Sequence, residues 1–277
     1  MSQPFTLSVL MSIYKKEHPE YLKSCLESLE GQTVQPDEYV IIADGPLTPA
    51  LDQELADFEA RATFPVNIYR FEENRGLGLA LQDGVKFAKS TWIARMDTDD
   101  IARRDRFEQQ IAYLRSHPDV ELIGSNVMEF ENDPMTSTTE KQVPETNEEI
   151  RQYVRRRNPF NHMSVMYKKE SVLAAGNYQP LSGYEDYYLW ARMLKQGTIA
   201  YNIQEPLVYA RGGSEMYQRR GGMAYLRHGI QAYNKIYGLG LASPMDWVIR
   251  TGAQVVVNLM PNSLRGRFYQ RALRKEK

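Results

Sequence analysis

The sequence predicts an α/β protein, a mainly parallel central sheet flanked by helices with a helical extension at its C-terminal end. Two observations carry this. Strand-like apolar runs alternate with amphipathic helical stretches through the first hundred residues, the pattern of repeated β-α-β units. One of those runs, Trp92-Ile93-Ala94, then stops abruptly in three carboxylates, Asp97, Asp99 and Asp100. The carboxyl ends of strands are where open α/β sheets hold their ligands.

The elements follow in order. Leu7-Ser8-Val9-Leu10-Met11-Ser12-Ile13 is a buried-strand run, and Tyr21, Leu22, Cys25, Leu26 and Leu29 fall at helical spacing before Gly31. Glu38-Tyr39-Val40-Ile41-Ile42-Ala43 is a second strand, stopped by Asp44-Gly45-Pro46. A helix through Leu51, Leu55 and Phe58 leads to a strand at 66–71 and then to a helix through Leu81, Val85 and Ala88. After about Ile111 the pattern changes: strand at 120–130, a polar, threonine-rich mobile loop at 133–147, a helix at 148–157, a strand at 163–167 and a helix at 184–195. An apolar helical stretch from Trp247 to Met260 is ended by Pro261.

Composition narrows the function classes. The 277 residues are 42% hydrophobic and 25% charged with a net charge of -1, ordinary for a globular protein and without a pull toward nucleic acid. The single cysteine, Cys25, excludes an internal disulfide and suits a reducing compartment. The N-terminus lacks the form of a signal peptide, and no run of about twenty apolar residues exists. These features predict a cytoplasmic location.

Crowding Asp97, Asp99 and Asp100 costs electrostatic repulsion. A divalent cation with a phosphate behind it compensates for it, and hard oxygen ligands suit Mg²⁺ or Mn²⁺. A solvated turn or the cap of the following helix would also use acids there. An EF-hand is excluded, since Ala102 stands where that loop requires glycine.

Five segments occur in a fixed order: Ser8-Val9-Leu10-Met11-Ser12-Ile13-Tyr14, Ile41-Ile42-Ala43-Asp44-Gly45, Asn74-Arg75-Gly76-Leu77-Gly78-Leu79-Ala80, Met96-Asp97-Thr98-Asp99-Asp100 and Tyr184-Glu185-Asp186-Tyr187-Tyr188-Leu189-Trp190. In that order the chain resembles the family 2 glycosyltransferases, inverting enzymes of the GT-A fold, over roughly residues 5 to 210. It departs from the family pattern at Ser12, Lys15 and Pro46, all at the nucleotide end.

The resemblance implies a catalytic domain over 1–212, with a nucleotide-binding half (1–100) and an acceptor-binding half (101–212), followed by a basic helical extension (213–277). It implies that Asp44 accepts a hydrogen bond from a uridine base, although a turn before Gly45 uses Asp equally well. Ser12, Tyr14, Glu17 and Thr98 would face the same nucleotide, and Arg75 would lie over the base or reach the phosphates, or stay in solvent. Asp97 and Asp99 would hold the cation, with Asp100 a further ligand or a contact to the sugar. Asp186 is the expected catalytic base, since an inverting displacement needs one carboxylate to take the acceptor proton; the first turn of a helix also favours acids. Glu185, His162 and Trp190 are placed in the acceptor or sugar pocket, with a purely structural histidine as the alternative for His162. Arg211, Arg219 and Arg220 would close over the diphosphate or form a flexible basic loop.

The implied activity is transfer from a UDP-sugar to a saccharide, lipid-linked, in O-antigen, capsule or exopolysaccharide assembly. Aromatic and basic residues mixed over 245–277 suit contact with the inner face of the cytoplasmic membrane; packing on the protein's own core or a dimer contact are the alternatives. A non-catalytic nucleotide-binding scaffold and a sugar-nucleotide nucleotidyltransferase are the competing functions. The latter wants a glycine-rich loop after the first strand, where Tyr14-Lys15-Lys16-Glu17-His18-Pro19 has none.

Overall fold

The computed structural model describes residues 5–137, 139–212, 222–259 and 275–276. Its first half alternates β1 (Leu7–Ile13), α1 (Pro19–Glu30), β2 (Glu38–Ala43), α2 (Pro49–Arg61), β3 (Val66–Arg70), α3 (Leu77–Phe87) and β4 (Trp92–Arg95). Strands β3, β2, β1 and β4 lie side by side and all parallel. A parallel strand covered on both faces must be apolar throughout, and every residue of β2 is buried. Alternate residues of β1 enter different cores: Leu10 packs with α3, while Val9 and Met11 pack with α1 and α2.

Past β4 the sheet becomes mixed. The elements are β5 (Ile101–Ala102), α4 (Arg106–Ser116), β6 (Val120–Phe130), β7 (Thr139–Lys141), α5 (Asn147–Tyr153), β8 (Met166–Lys168), α6 (Lys169–Ala174), α7 (Glu185–Lys195) and β9 (Ile199–Arg211). β8 runs antiparallel to both β4 and β6, and β9 runs parallel to β6. The sheet is therefore parallel from β3 to β4 and again between β6 and β9, with β8 antiparallel between them. The polar stretch 133–147 is more ordered than a loop: it contains a single helical turn, Pro134–Thr136, and β7. The reason is Glu140, buried where Asn126 Nδ2 donates to its carboxylate at 2.9 Å. α5 starts on a capping box between Thr146 and Glu149.

α8 (Gly222–Gly238) and α9 (Pro244–Leu259) close the described fold, with β10 (Lys275–Glu276) beside β7. Ala232, Tyr233 and Ile236 of α8 join the core that contains Trp190 and Leu194 of α7. α9 is fixed by Gln254, whose amide group meets Tyr233 Oη at 3.1 Å and Tyr184 Oη at 3.4 Å. Among the described residues, no helix is long and apolar enough to cross a membrane.

Candidate active site

Because β1, β2 and β4 are parallel, their carboxyl ends share one edge of the sheet. There the segments that follow β1 and β4 are tied together: Thr98 Oγ1 donates to Glu17 Oε2 at 2.5 Å. Ser12 is half-buried and Tyr14 is exposed on the same edge.

The acidic turn after β4 is held from below by Arg95. This arginine is 1% exposed, donates to the Leu10 carbonyl at 3.3 Å and pairs with the Asp97 carboxylate. From the side, Arg211 donates its backbone N–H to Asp100 Oδ1 at 2.7 Å and its Nε to the Asp99 carbonyl at 3.0 Å. Its guanidinium lies over the rings of Tyr21 and Phe130, 3.8 and 4.5 Å from their centroids. Arg211 is thus a brace of the acidic turn, and the expected lid-like role over a diphosphate is corrected: stacking and hydrogen bonds already occupy it. Arg219 and Arg220 lie outside the described residues.

Burial, then the charges of Asp97 and Glu17, push the Asp99 carboxyl up to about 7. Burial, with Asp99 and Asp97, also raises Asp100 well above the usual carboxylate range, and its Oδ2 is buried without a hydrogen-bond partner. The expected trio does not form a cage: among the described residues, no three His, Cys, Asp or Glu side chains gather as metal ligands. Asp100 Oδ1 is committed to Arg211, and Asp97 to Arg95. The arrangement still fits a cation of the Mg²⁺ or Mn²⁺ kind, which takes one or two carboxylates and completes its shell with phosphate oxygens. The raised proton affinity of Asp99 reflects its burial first and then the neighbouring Asp97 and Glu17 carboxylates.

Asp44 differs from its expected role. Its carboxylate is 3% exposed and accepts three bonds, from Asn74 Nδ2 at 3.0 Å and from the backbone N–H groups of Arg75 and Gly76, each at 2.9 Å. It fastens the 74–76 loop to the end of β2. Gly45 makes this approach possible: its φ is +88°, and a Cβ there would lie 2.8 Å from the Asn74 nitrogen. The Arg75 guanidinium is likewise committed, to Asp83 at 2.7 Å and over Phe71 at 4.0 Å.

The expected base lies at the N-terminus of α7. Asp186 Oδ2 accepts from Asn158 Nδ2 at 2.6 Å, and Oδ1 accepts from the Tyr187 N–H at 2.7 Å. Glu185 is 7% exposed, and burial, then the charge of Asp186, raise its carboxyl to about 7. His162 Nε2 meets Tyr178 Oη at 3.2 Å. Burial, then Arg95, lower its pKa, opposed by the charges of Asp97 and Asp186. Trp190 is corrected: it is fully buried, in a ring of Phe160, His162, Tyr167 and Tyr178, and lines no pocket. On a helix, position 190 is one turn beyond 186 and faces the core.

Three residues matter here that the sequence reading left out: Arg95, Asn158 and Asn74. Arg95, a charge inside an apolar strand run, was the signal most open to reading.

Comparison with known proteins gives the family and the fold. The profile of the family described as Glycosyl transferase family 2 matches residues 8–173. The chain is 43% identical over 226 residues to the amylovoran biosynthesis glycosyltransferase AmsE of Erwinia amylovora, covering 82% of this chain and 84% of that one. It is 37% identical over 268 residues to the Escherichia coli UDP-Gal:alpha-D-GlcNAc-diphosphoundecaprenol beta-1,3-galactosyltransferase, covering 97% and 96%. Among solved structures it is similar to S. aureus TarS 1-349 in complex with UDP-GlcNAc, with a TM-score of 0.63 at 14% identity over 94% of this chain and 69% of that one. The mannosyltransferase PcManGT from Pyrobaculum calidifontis, in complex with GDP-Man and Mn²⁺, has a TM-score of 0.59 at 15% identity, covering 93% and 77%.

Proposed function

The chain belongs to glycosyl transferase family 2, and from that membership we propose an inverting transfer of a sugar from a UDP-sugar to a saccharide carried on a lipid diphosphate, in the assembly of a cell-surface polysaccharide. That the protein is a glycosyltransferase follows from the family; the donor, acceptor and residue roles are this proposal. The relatives' activities support it, one in amylovoran biosynthesis and one acting on a diphosphoundecaprenol-linked acceptor. The observation that carries it is the segment 158–165: Asn158 holds the Asp186 carboxylate, and the Val165 carbonyl accepts from the Arg95 N–H at 2.9 Å at the end of β4. The space proposed for the reaction lies between the acidic turn and the α7 carboxylate.

In that space Asp97 and Asp99 would hold Mn²⁺ or Mg²⁺ against the donor diphosphate. When bound, the cation supplies Lewis-acid compensation for the charge of the leaving group. Arg95 and Arg211 keep the acidic turn in place beneath the diphosphate. Ser12 and Tyr14 border the nucleotide, while Asp44 acts through the 74–76 loop. The Asp186 carboxylate takes the proton of the acceptor hydroxyl as that oxygen attacks the anomeric carbon from the face opposite the departing diphosphate. Asn158 orients that carboxylate, and Glu185, beside it, borders the acceptor.

The test is Asp186→Asn, assayed with UDP-sugars and a short-chain lipid-diphosphate saccharide. Transfer should fall by about 10² to 10⁴ while UDP with Mn²⁺ still raises the melting temperature. Transfer at the wild-type rate would remove Asp186 from the role of base, and stabilisation by GDP in place of UDP would overturn the donor.

A further inference from the structure

α9 has two unlike faces. One is built into the protein: Asp246 accepts from Arg156 Nε at 2.6 Å, Trp247 Nε1 donates to Asn234 at 2.8 Å, and Gln254 meets Tyr184. The other face consists of Met245, Val248, Ile249, Gly252, Ala253 and Val256 and is open to solvent. Its large side chains are between 44% and 65% exposed. Spaced at i, i+3, i+4, i+7, i+8 and i+11, they form one uncharged stripe of about 16 Å. A water-facing helix surface normally carries charge, so this one wants a cover.

Exposed cations lie next to it. Arg155, Arg156 and Arg157 form an exposed run beside α9: Arg156 binds Asp246, and Arg155 shares a cavity with Trp247 and Arg250. Neither Arg155 nor Arg157 has an ion pair among the described residues. In the sequence that follows α9, residues 264–277 hold six Lys or Arg against Glu276 alone. An apolar stripe bordered by cations matches a bilayer with anionic headgroups. A second copy docking through the same face would instead set arginines against arginines across a two-fold axis.

We propose that this face of α9 docks on an anionic lipid bilayer, lying in its interface. The helix is tied to the site through two contacts, Asp246 to Arg156, two residues before Asn158, and Gln254 to Tyr184, two residues before Asp186. These contacts connect the docked helix to the segments that carry Asn158 and Asp186. The purpose of docking rests on the lipid-linked acceptor proposed above; the docking itself does not.

Flotation of the full chain with phosphatidylcholine vesicles, with and without phosphatidylglycerol, tests it. The protein should float with the anionic vesicles and less with the neutral ones. Val248→Glu with Ile249→Glu should stay unbound, with an unchanged melting temperature and unchanged transfer to a water-soluble acceptor. If that pair fails to fold, Val248→Ser with Val256→Ser should still weaken flotation. Arg155→Gln and Arg157→Gln should each lower partitioning to anionic vesicles by about fivefold. Absence of flotation in the wild type, or equal flotation of the Glu pair, overturns the proposal. So does a wild-type dimer that the Glu pair dissociates without any vesicle binding, which would assign the face to a second copy. Flotation needs neither donor nor acceptor, so a failure of the transfer assay leaves this result readable.

Discussion

Asn158 donates its side-chain amide to the Asp186 carboxylate at 2.6 Å, across 28 residues of sequence. That bond, with the Tyr187 N–H on the other oxygen, fixes where the carboxylate points. Asn158→Ala should lower kcat by about tenfold to a hundredfold, the cost of a misplaced catalytic group, and leave the donor KM unchanged. Steady-state kinetics check this; a change in KM alone would show that Asn158 serves binding.

Asp99 is buried beside Asp97 and Glu17, with its carboxyl raised to about 7. Asp99→Ala should abolish the Mn²⁺-dependent stabilisation by UDP, which for the wild type is about 2.7 kcal/mol at a hundred times Kd. A chelator should have the same effect on the wild type. Differential scanning fluorimetry reads both, and a shift that survives either treatment contradicts the cation's place.

Glu185 gives a pH signature. Its ordinary value is 4.5 and its value in the fold is about 7. Between these the folded state binds the extra proton, so Glu185 makes stability fall as pH rises from 4.5 to about 7. Glu185→Gln should flatten that part of the slope and melt higher than the wild type above this range. Equal slopes in the two proteins would remove Glu185 as the cause.

Trp190 is a core residue, and its substitutions should show it. Trp190→Ala should cost about 3–5 kcal/mol of stability. Trp190→Phe removes an indole N–H that has no partner and should leave the acceptor KM unchanged. A selective rise in that KM would return Trp190 to the pocket.

The parallel half of the fold was legible because β1 and β2 are largely apolar, buried runs and the helices between the strands show their own period. The acidic turn was legible because three carboxylates at the end of such a run are costly without a reason. What stayed hidden depends on contacts distant in sequence. The Asp44 carboxylate turns inward because Asn74, Arg75 and Gly76 reach it from some thirty residues away. β7 forms in a polar stretch because Asn126 of β6 receives Glu140. Arg211 reads as a loop arginine until Tyr21 and Phe130 are brought to either side of it. Local pattern reports propensity, and these residues are placed by tertiary partners instead.

Arg211 is also the last residue of β9, the point where the chain leaves the sheet on its way to the C-terminal helices. Exchange of those helices between relatives has its natural seam just after this residue. A chimaera cut upstream of Arg211 swaps the brace along with the helices and inherits a foreign fit to Asp99 and Asp100. One cut downstream keeps the brace with its own carboxylates, and keeps Asn158 and Asp186 as well, so only the C-terminal helices are exchanged.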